Sequence, residues 1–150
     1  MIGRTVEAIA SSTATRPAHV VLLDDDPTHR TLLRLLLDRQ DPSLVVHESD
    51  RQEDALRHLR DLAARGMPVL VLADQRLADG TGLAFFDRLR REQPDAAFTF
   101  VLLSATRDGI EPAPLARAGV ARFIEKPLRL AHYERALEAL LASWRGTKTS

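Results

Sequence analysis

Residues 19–27 read HVVLLDDDP. His19 leads four aliphatic residues with no polar alternation, as expected of a strand buried on both faces of a sheet. The run ends in three aspartates. Asp26-Pro27 then sets an N-cap acceptor before a proline at the first helical position, where a missing N–H costs nothing. A helix with Leu33, Leu36 and Leu37 on one side should follow and stop near Asp41-Pro42. A buried strand, a sharp acidic turn and an amphipathic helix make the first half of a βα repeat.

The same cycle recurs outward from this segment. Residues 44–47 form a short second strand, after which Ser49 or Asp50 can cap a helix carrying Ala55, Leu56, Leu59 and Leu62 at helical spacing. Gly66 and Pro68 punctuate before a third strand at 69–73 (VLVLA). Asp79-Gly80-Thr81-Gly82 turns into a helix whose inward face is expected to hold Leu83, Phe86 and Leu89. The fourth strand is 98–103 (FTFVLL) and the fifth 120–124. Tyr133, Leu137, Leu140, Leu141 and Trp144 stripe a last helix.

Five strands alternating with helices imply right-handed crossovers and an α/β fold. The expectation is a five-stranded parallel sheet with helices on both faces. The weak link is 104–119, where Gly109, Pro112 and Pro114 leave room for only a short fourth helix at about 114–118. Residues 1–18, rich in Ser, Thr and Ala, read as a flexible leader, 19–145 as one domain and 146–150 as a tail.

Composition excludes several classes of function. The 150-residue chain has 21 basic and 21 acidic side chains, a formal net charge of zero, so it has no global attraction to nucleic acid or an anionic membrane. It contains no cysteine, which removes disulfides, thiolate metal sites and cysteine nucleophiles. No apolar run approaches the ~18 residues of a membrane span, and a cytoplasmic location is expected. Lysine is scarce: Lys126 and Lys148 stand against 19 arginines. No phosphate-binding glycine loop followed by Lys-Ser/Thr occurs. The five histidines (His19, His29, His47, His58, His132) show no ligand spacing and are assigned ordinary surface or edge roles.

In parallel α/β sheets the working site lies beyond the carboxyl ends of the strands. Those positions hold Asp24, Asp25 and Asp26 after the first strand, Asp74 after the third, Ser104 after the fourth and Lys126 after the fifth. Carboxylates brought together repel unless a cation neutralises them. Oxygen donors of this kind suit Mg²⁺, which keeps waters and meets phosphate oxygens. The pattern reads as a Mg²⁺-assisted phosphoryl site with an aspartate nucleophile and a lysine and serine to hold phosphate oxygens.

These pieces, LLDDDP at 22–27, LADQRLADGTG at 72–82, LLSA at 102–105 and FIEKP at 123–127, resemble the receiver domain of two-component response regulators. The intervals, 30 residues from Asp74 to Ser104 and 22 from Ser104 to Lys126, are similar to the family's as well. The resemblance implies the strand order 2-1-3-4-5 of a flavodoxin- or receiver-like fold. It also implies that Asp74 is the phosphoacceptor and that Mg²⁺ is held by Asp25 directly, Asp24 through water, Asp74, and the Arg76 backbone carbonyl. It implies that Ser104 and Lys126 bind the arriving phosphoryl group, that Ser104 and Phe123 form the switch, and that Pro127 follows a cis peptide. The implied partners are a histidine kinase or phosphotransfer protein upstream and a protein target downstream, with homodimerisation one form of output. Direct nucleic-acid or membrane binding is not implied.

Two departures from the family's pattern stand out. Leu77-Ala78 replaces a Met-Pro-type pair, and the proline-rich fourth helix disturbs a face that many receivers use for output. Arg76, two positions after Asp74, is expected to reach over the phosphoryl group and shield it from water. The leading expectation is a stand-alone signalling switch rather than a turnover enzyme. A receiver-like interaction module that works without phosphorylation is the alternative. An aspartate-nucleophile phosphatase would need a general acid near Asp74, and neither Gln75 nor Arg76 is one.

Overall fold

The strand HVVLL forms as β1 (His19–Leu23), with all five residues buried, at the heart of a parallel sheet. The computed structural model describes residues 17–149, with side chains to residue 146, so the expected leader falls outside the described residues except for its last two positions. β1 pairs on one edge with β2 (Val45–Ser49) and on the other with β3 (Val69–Asp74). Beyond β3 come β4 (Phe98–Ser104) and β5 (Val120–Glu125), giving the order β2-β1-β3-β4-β5. This is the 2-1-3-4-5 arrangement implied by the family resemblance, and the parallel pairing is that expected from the alternation of apolar runs and amphipathic stretches.

Because successive strand side chains point to opposite faces, β1, β3 and β4 each feed two cores. Val20, Leu22, Leu70, Leu72, Val101 and Leu103 pack beneath α1 (Pro27–Gln40) and α5 (Leu130–Thr149). Val21, Leu23, Val69, Val71, Phe100 and Leu102 pack on the other face against α2 (Gln52–Ala64) and α3 (Gly82–Glu92). There Phe86 stacks on Phe100, centroids 4.5 Å apart and rings nearly parallel. Among the described residues no helix is long and apolar enough to cross a membrane.

Local details differ from expectation for identifiable reasons. β2 runs to Ser49 because its register follows all five residues of β1, Leu23 opposite Ser49. Neither Ser49 nor Asp50 caps α2. Its first N–H, that of Gln52, donates instead to Asp79 Oδ2 at 3.0 Å, from a turn 27 residues away. The buried stripe of α3 is Gly82, Phe85, Phe86 and Leu89, with Leu83 only half-buried. Gly82 fixes that rotation, since a Cβ there would lie 2.6 Å from the Asp74 carbonyl oxygen and 2.8 Å from Leu102 Cδ1.

The fourth helix exists as α4 (Pro112–Arg117), two residues earlier than expected and with no buried residue. Both prolines fit because they occupy the first turn, whose N–H groups have no intrahelical acceptor to lose. The peptide before Pro127 is trans, against the expected cis bond, and no described peptide is cis. α5 continues to Thr149, through most of the residues expected to form a tail.

Candidate functional site

Parallel strands of matched register bring their carboxyl ends to one edge, and there the loops are tied together. The Lys126 N–H donates to the Ser104 carbonyl at 2.7 Å, and the Gln75 N–H to the Leu103 carbonyl at 2.8 Å. Asp74 closes β3 and is 8% exposed. Lys126, carried just past β5, places Nζ 2.7 Å from Asp74 Oδ2. The other carboxylate oxygen accepts the Arg76 N–H at 3.3 Å. The sheet thus juxtaposes Asp74 and Lys126, which lie 52 residues apart.

Asp24 is almost completely buried and accepts the Asp26 N–H at 2.9 Å. His29 Nδ1 makes a short contact with its Oδ2. Burial disfavours the charged form of this carboxyl, but the hydrogen bonds from His29 and Asp26, with the charges of His29 and Lys126, outweigh it and hold the group below the usual aspartate range. Asp24, His29 and Asp74 each bring one donor atom within 4.8 Å of the other two. Two buried carboxylates and an imidazole facing one another are a donor set a divalent cation satisfies, with Lys126 balancing charge on one side.

The remaining expected site residues take different positions. Asp25, next in the chain to Asp24, is exposed and is not one of the three residues whose donor atoms lie within 4.8 Å of one another. Arg76 is exposed and lies in a two-residue hairpin strand opposite Thr81. Ser104 is buried at the end of β4. Its hydroxyl donates to the Thr106 carbonyl at 2.8 Å and accepts the Thr106 N–H at 3.4 Å, so it is engaged with its own loop. Phe123 is half-buried on β5, and the Arg107 guanidinium lies 4.8 Å above its ring centroid.

A family model described as the response regulator receiver domain matches residues 20–138. The chain belongs to this family. Among curated relatives, this receiver is 28% identical over 130 residues to the methanogenesis regulatory protein FilR1 of Methanothrix harundinacea (strain 6Ac), covering 86% of this chain and 28% of that protein. It is 31% identical over 111 residues to the cyclic di-GMP phosphodiesterase response regulator RpfG of Xanthomonas campestris pv. campestris (strain 8004), covering 74% of this chain and 28% of that one. The chain therefore spans little more than a quarter of the length of these relatives. Of solved structures, a response regulator receiver domain from Rhodospirillum rubrum superposes with a TM-score of 0.69 at 26% identity, covering 82% of this chain and 90% of that one. The phosphorylated cyanobacterial phytochrome response regulator RcpA gives 0.71 at 18% identity, covering 87% and 95%, a likeness of fold alone.

Two residues of the pocket escaped sequence reasoning. His29 is the third residue of α1, and helical side chains lean toward the N-terminus, which aims it back over the acidic turn. That offset from the Asp26 cap was the available signal, and it corrects the ordinary surface role first assigned to His29. Tyr133, from α5, is 3% exposed and sets its hydroxyl 2.7 Å from His29 Nε2. Burial, then the charges of Asp24 and Asp74, push its phenol well above the ordinary tyrosine value, so it remains a neutral hydroxyl.

Proposed function

We propose that this receiver accepts a phosphoryl group on Asp74 from the phosphohistidine of a histidine kinase or phosphotransfer protein, and that the acyl phosphate alters a surface read by a downstream protein. The ion pair between Lys126 and Asp74 carries this reading. It sets the compact ammonium of a lysine-poor chain against a nearly buried carboxylate at the sheet edge.

Asp74 is held for attack by Lys126 on one oxygen and the Arg76 N–H on the other. An O–P bond forms at Asp74 as the donor's N–P bond breaks, and the bonding pair returns to the donor imidazole. Lys126 then exchanges its carboxylate contact for the phosphoryl oxygens, where it offsets charge developing in transfer. Asp24, Asp25, Asp74 and the Arg76 carbonyl are the groups assigned to Mg²⁺. When bound, the ion supplies positive charge to the phosphoryl oxygens. Ser104 releases the Thr106 carbonyl and donates to the new dianion. The 104–107 loop moves with it, and with the loop goes Arg107 over Phe123.

Incubation with Mg²⁺ and a small acyl-phosphate donor, followed by intact-mass measurement, tests the assignment. One added phosphoryl group is expected, absent in Asp74→Asn. An unmodified wild-type chain, even with a competent kinase, would favour the phosphorylation-independent module.

A further inference from the structure

We propose that His29 is itself a metal ligand, which turns the acidic pocket into a mixed nitrogen–oxygen site selective for a transition divalent cation such as Mn²⁺ over Mg²⁺. This rests on reading the pocket as the receiver's metal site, and it adds a donor of a different chemical kind.

Geometry is the first reason. Donor atoms of His29, Asp24 and Asp74 lie within 4.8 Å of one another. Ligands of one ion with bonds of ~2.1 Å lie at most ~4.2 Å apart, so small side-chain movements would close the set. Donor chemistry is the second reason. Mg²⁺ is a hard ion that takes oxygen ligands and keeps its waters, whereas imidazole suits first-row transition ions. A nitrogen in the shell therefore shifts preference toward the latter.

The third reason is how the ring is held. Ligating histidines are usually fixed through their other nitrogen by a buried partner. Here the Tyr133 hydroxyl, 2.7 Å from Nε2, supplies that support, and its ring stacks on the imidazole with centroids 5.8 Å apart. A hydroxyl can donate or accept. Without an ion, Nδ1–H can donate to Asp24, and the Tyr133 hydroxyl can serve Nε2 as donor or as acceptor according to whether Nε2 carries a proton. With an ion on Nδ1, the ring proton resides on Nε2 and Tyr133 accepts it. The partner on α5 thus accommodates both tautomers without moving the ring.

The test uses the whole chain with Mn²⁺ and Mg²⁺ as probes. Calorimetric titration should show tighter binding of Mn²⁺ than of Mg²⁺. His29→Gln should lose about 10-fold or more in Mn²⁺ affinity with a smaller change for Mg²⁺, and Tyr133→Phe should weaken Mn²⁺ by about 10-fold. Electron spin-echo modulation of the Mn²⁺-loaded wild type should show a directly bound ¹⁴N, lost in His29→Gln and retained in Tyr133→Phe. Absence of that ¹⁴N signal from the wild type needs no variant to interpret and overturns the assignment of His29. An Mn²⁺/Mg²⁺ ratio unchanged in His29→Gln overturns it equally. If either occurs while Asp74 still takes up a phosphoryl group with Mg²⁺, only the histidine ligand fails. If the wild type binds neither ion, the metal site itself fails.

Discussion

Replacing Lys126 with methionine keeps a chain of similar length and removes the ammonium facing Asp74. At 2.7 Å the gross attraction of the pair is about 6 kcal/mol at an effective dielectric of ~20, and the desolvation of both groups offsets most of it. A charge-assisted hydrogen bond nets ~1.5–3 kcal/mol. The Asp74 side chain is 11% exposed and that of Lys126 22%, so the cost should fall below the ~3–5 kcal/mol of breaking a fully buried pair. A loss of ~2–3 kcal/mol is expected, or a Tm drop of roughly 4–12 °C for a chain of this size. Urea unfolding in metal-free buffer of the wild type, Lys126→Met, Asp74→Asn and the double variant reads this directly. In the Asp74→Asn background the cost of Lys126→Met should shrink to under ~1 kcal/mol, because the charge it served is gone. Equal costs in the two backgrounds would refute the pairing as the source of stability.

Three other perturbations test separate features. Burial, then the neighbouring His58, His19 and Arg65, hold His47 below the ordinary histidine value of 6.5, with Asp61 opposing. The folded state thus binds this proton less readily than the unfolded chain, and the stability present above 6.5 is lost as pH falls through the folded value. Tm should therefore decline as pH falls below the ordinary histidine value of 6.5, and His47→Gln should flatten the decline. Asp79→Ala removes the acceptor for the first N–H of α2 and should cost ~1 kcal/mol in urea unfolding; an unchanged midpoint would show the cap to be dispensable. Gly82→Ala drives a methyl against the Asp74 carbonyl, a backbone group that cannot swing aside. It should cost roughly 1–3 kcal/mol and slow acyl-phosphate uptake at Asp74, and a silent variant would contradict the close approach.

The features legible in the sequence are those set by strand chemistry and chain order. Each apolar run ends at the residue that the parallel sheet delivers to its working edge, so Asp24, Asp74, Ser104 and Lys126 could be assigned to it before any coordinates. Prolines 112 and 114 were readable as constraints, though not as an N-terminal turn that tolerates both. What escaped depends on contacts between elements. Asp79 reaches α2 from a distant turn, Gly82 sets the rotation of α3 by touching Asp74, and Tyr133 meets His29 across 104 residues. His19, His47 and His58 likewise gather only when β1, β2 and α2 pack, His19 Nδ1 lying 3.1 Å from His47 Nε2. No window of local sequence contains such pairs. Ion pairing of the arginines, as in Arg60–Glu92 and Arg88–Glu53, similarly shows zero net charge to be an average over a finely mixed surface around one acidic pocket.

The most direct measurement is localisation of the acyl phosphate. After exposure to Mg²⁺ and a small acyl-phosphate donor, the chain is reduced with borohydride, which converts a phosphorylated aspartate to homoserine, and its peptides are sequenced by mass spectrometry. Homoserine at position 74 is the expected result, with Asp24 and Asp25 unchanged. An unreduced Asp74, or homoserine at Asp24 or Asp25 instead, would contradict the assignment of Asp74 as phosphoacceptor.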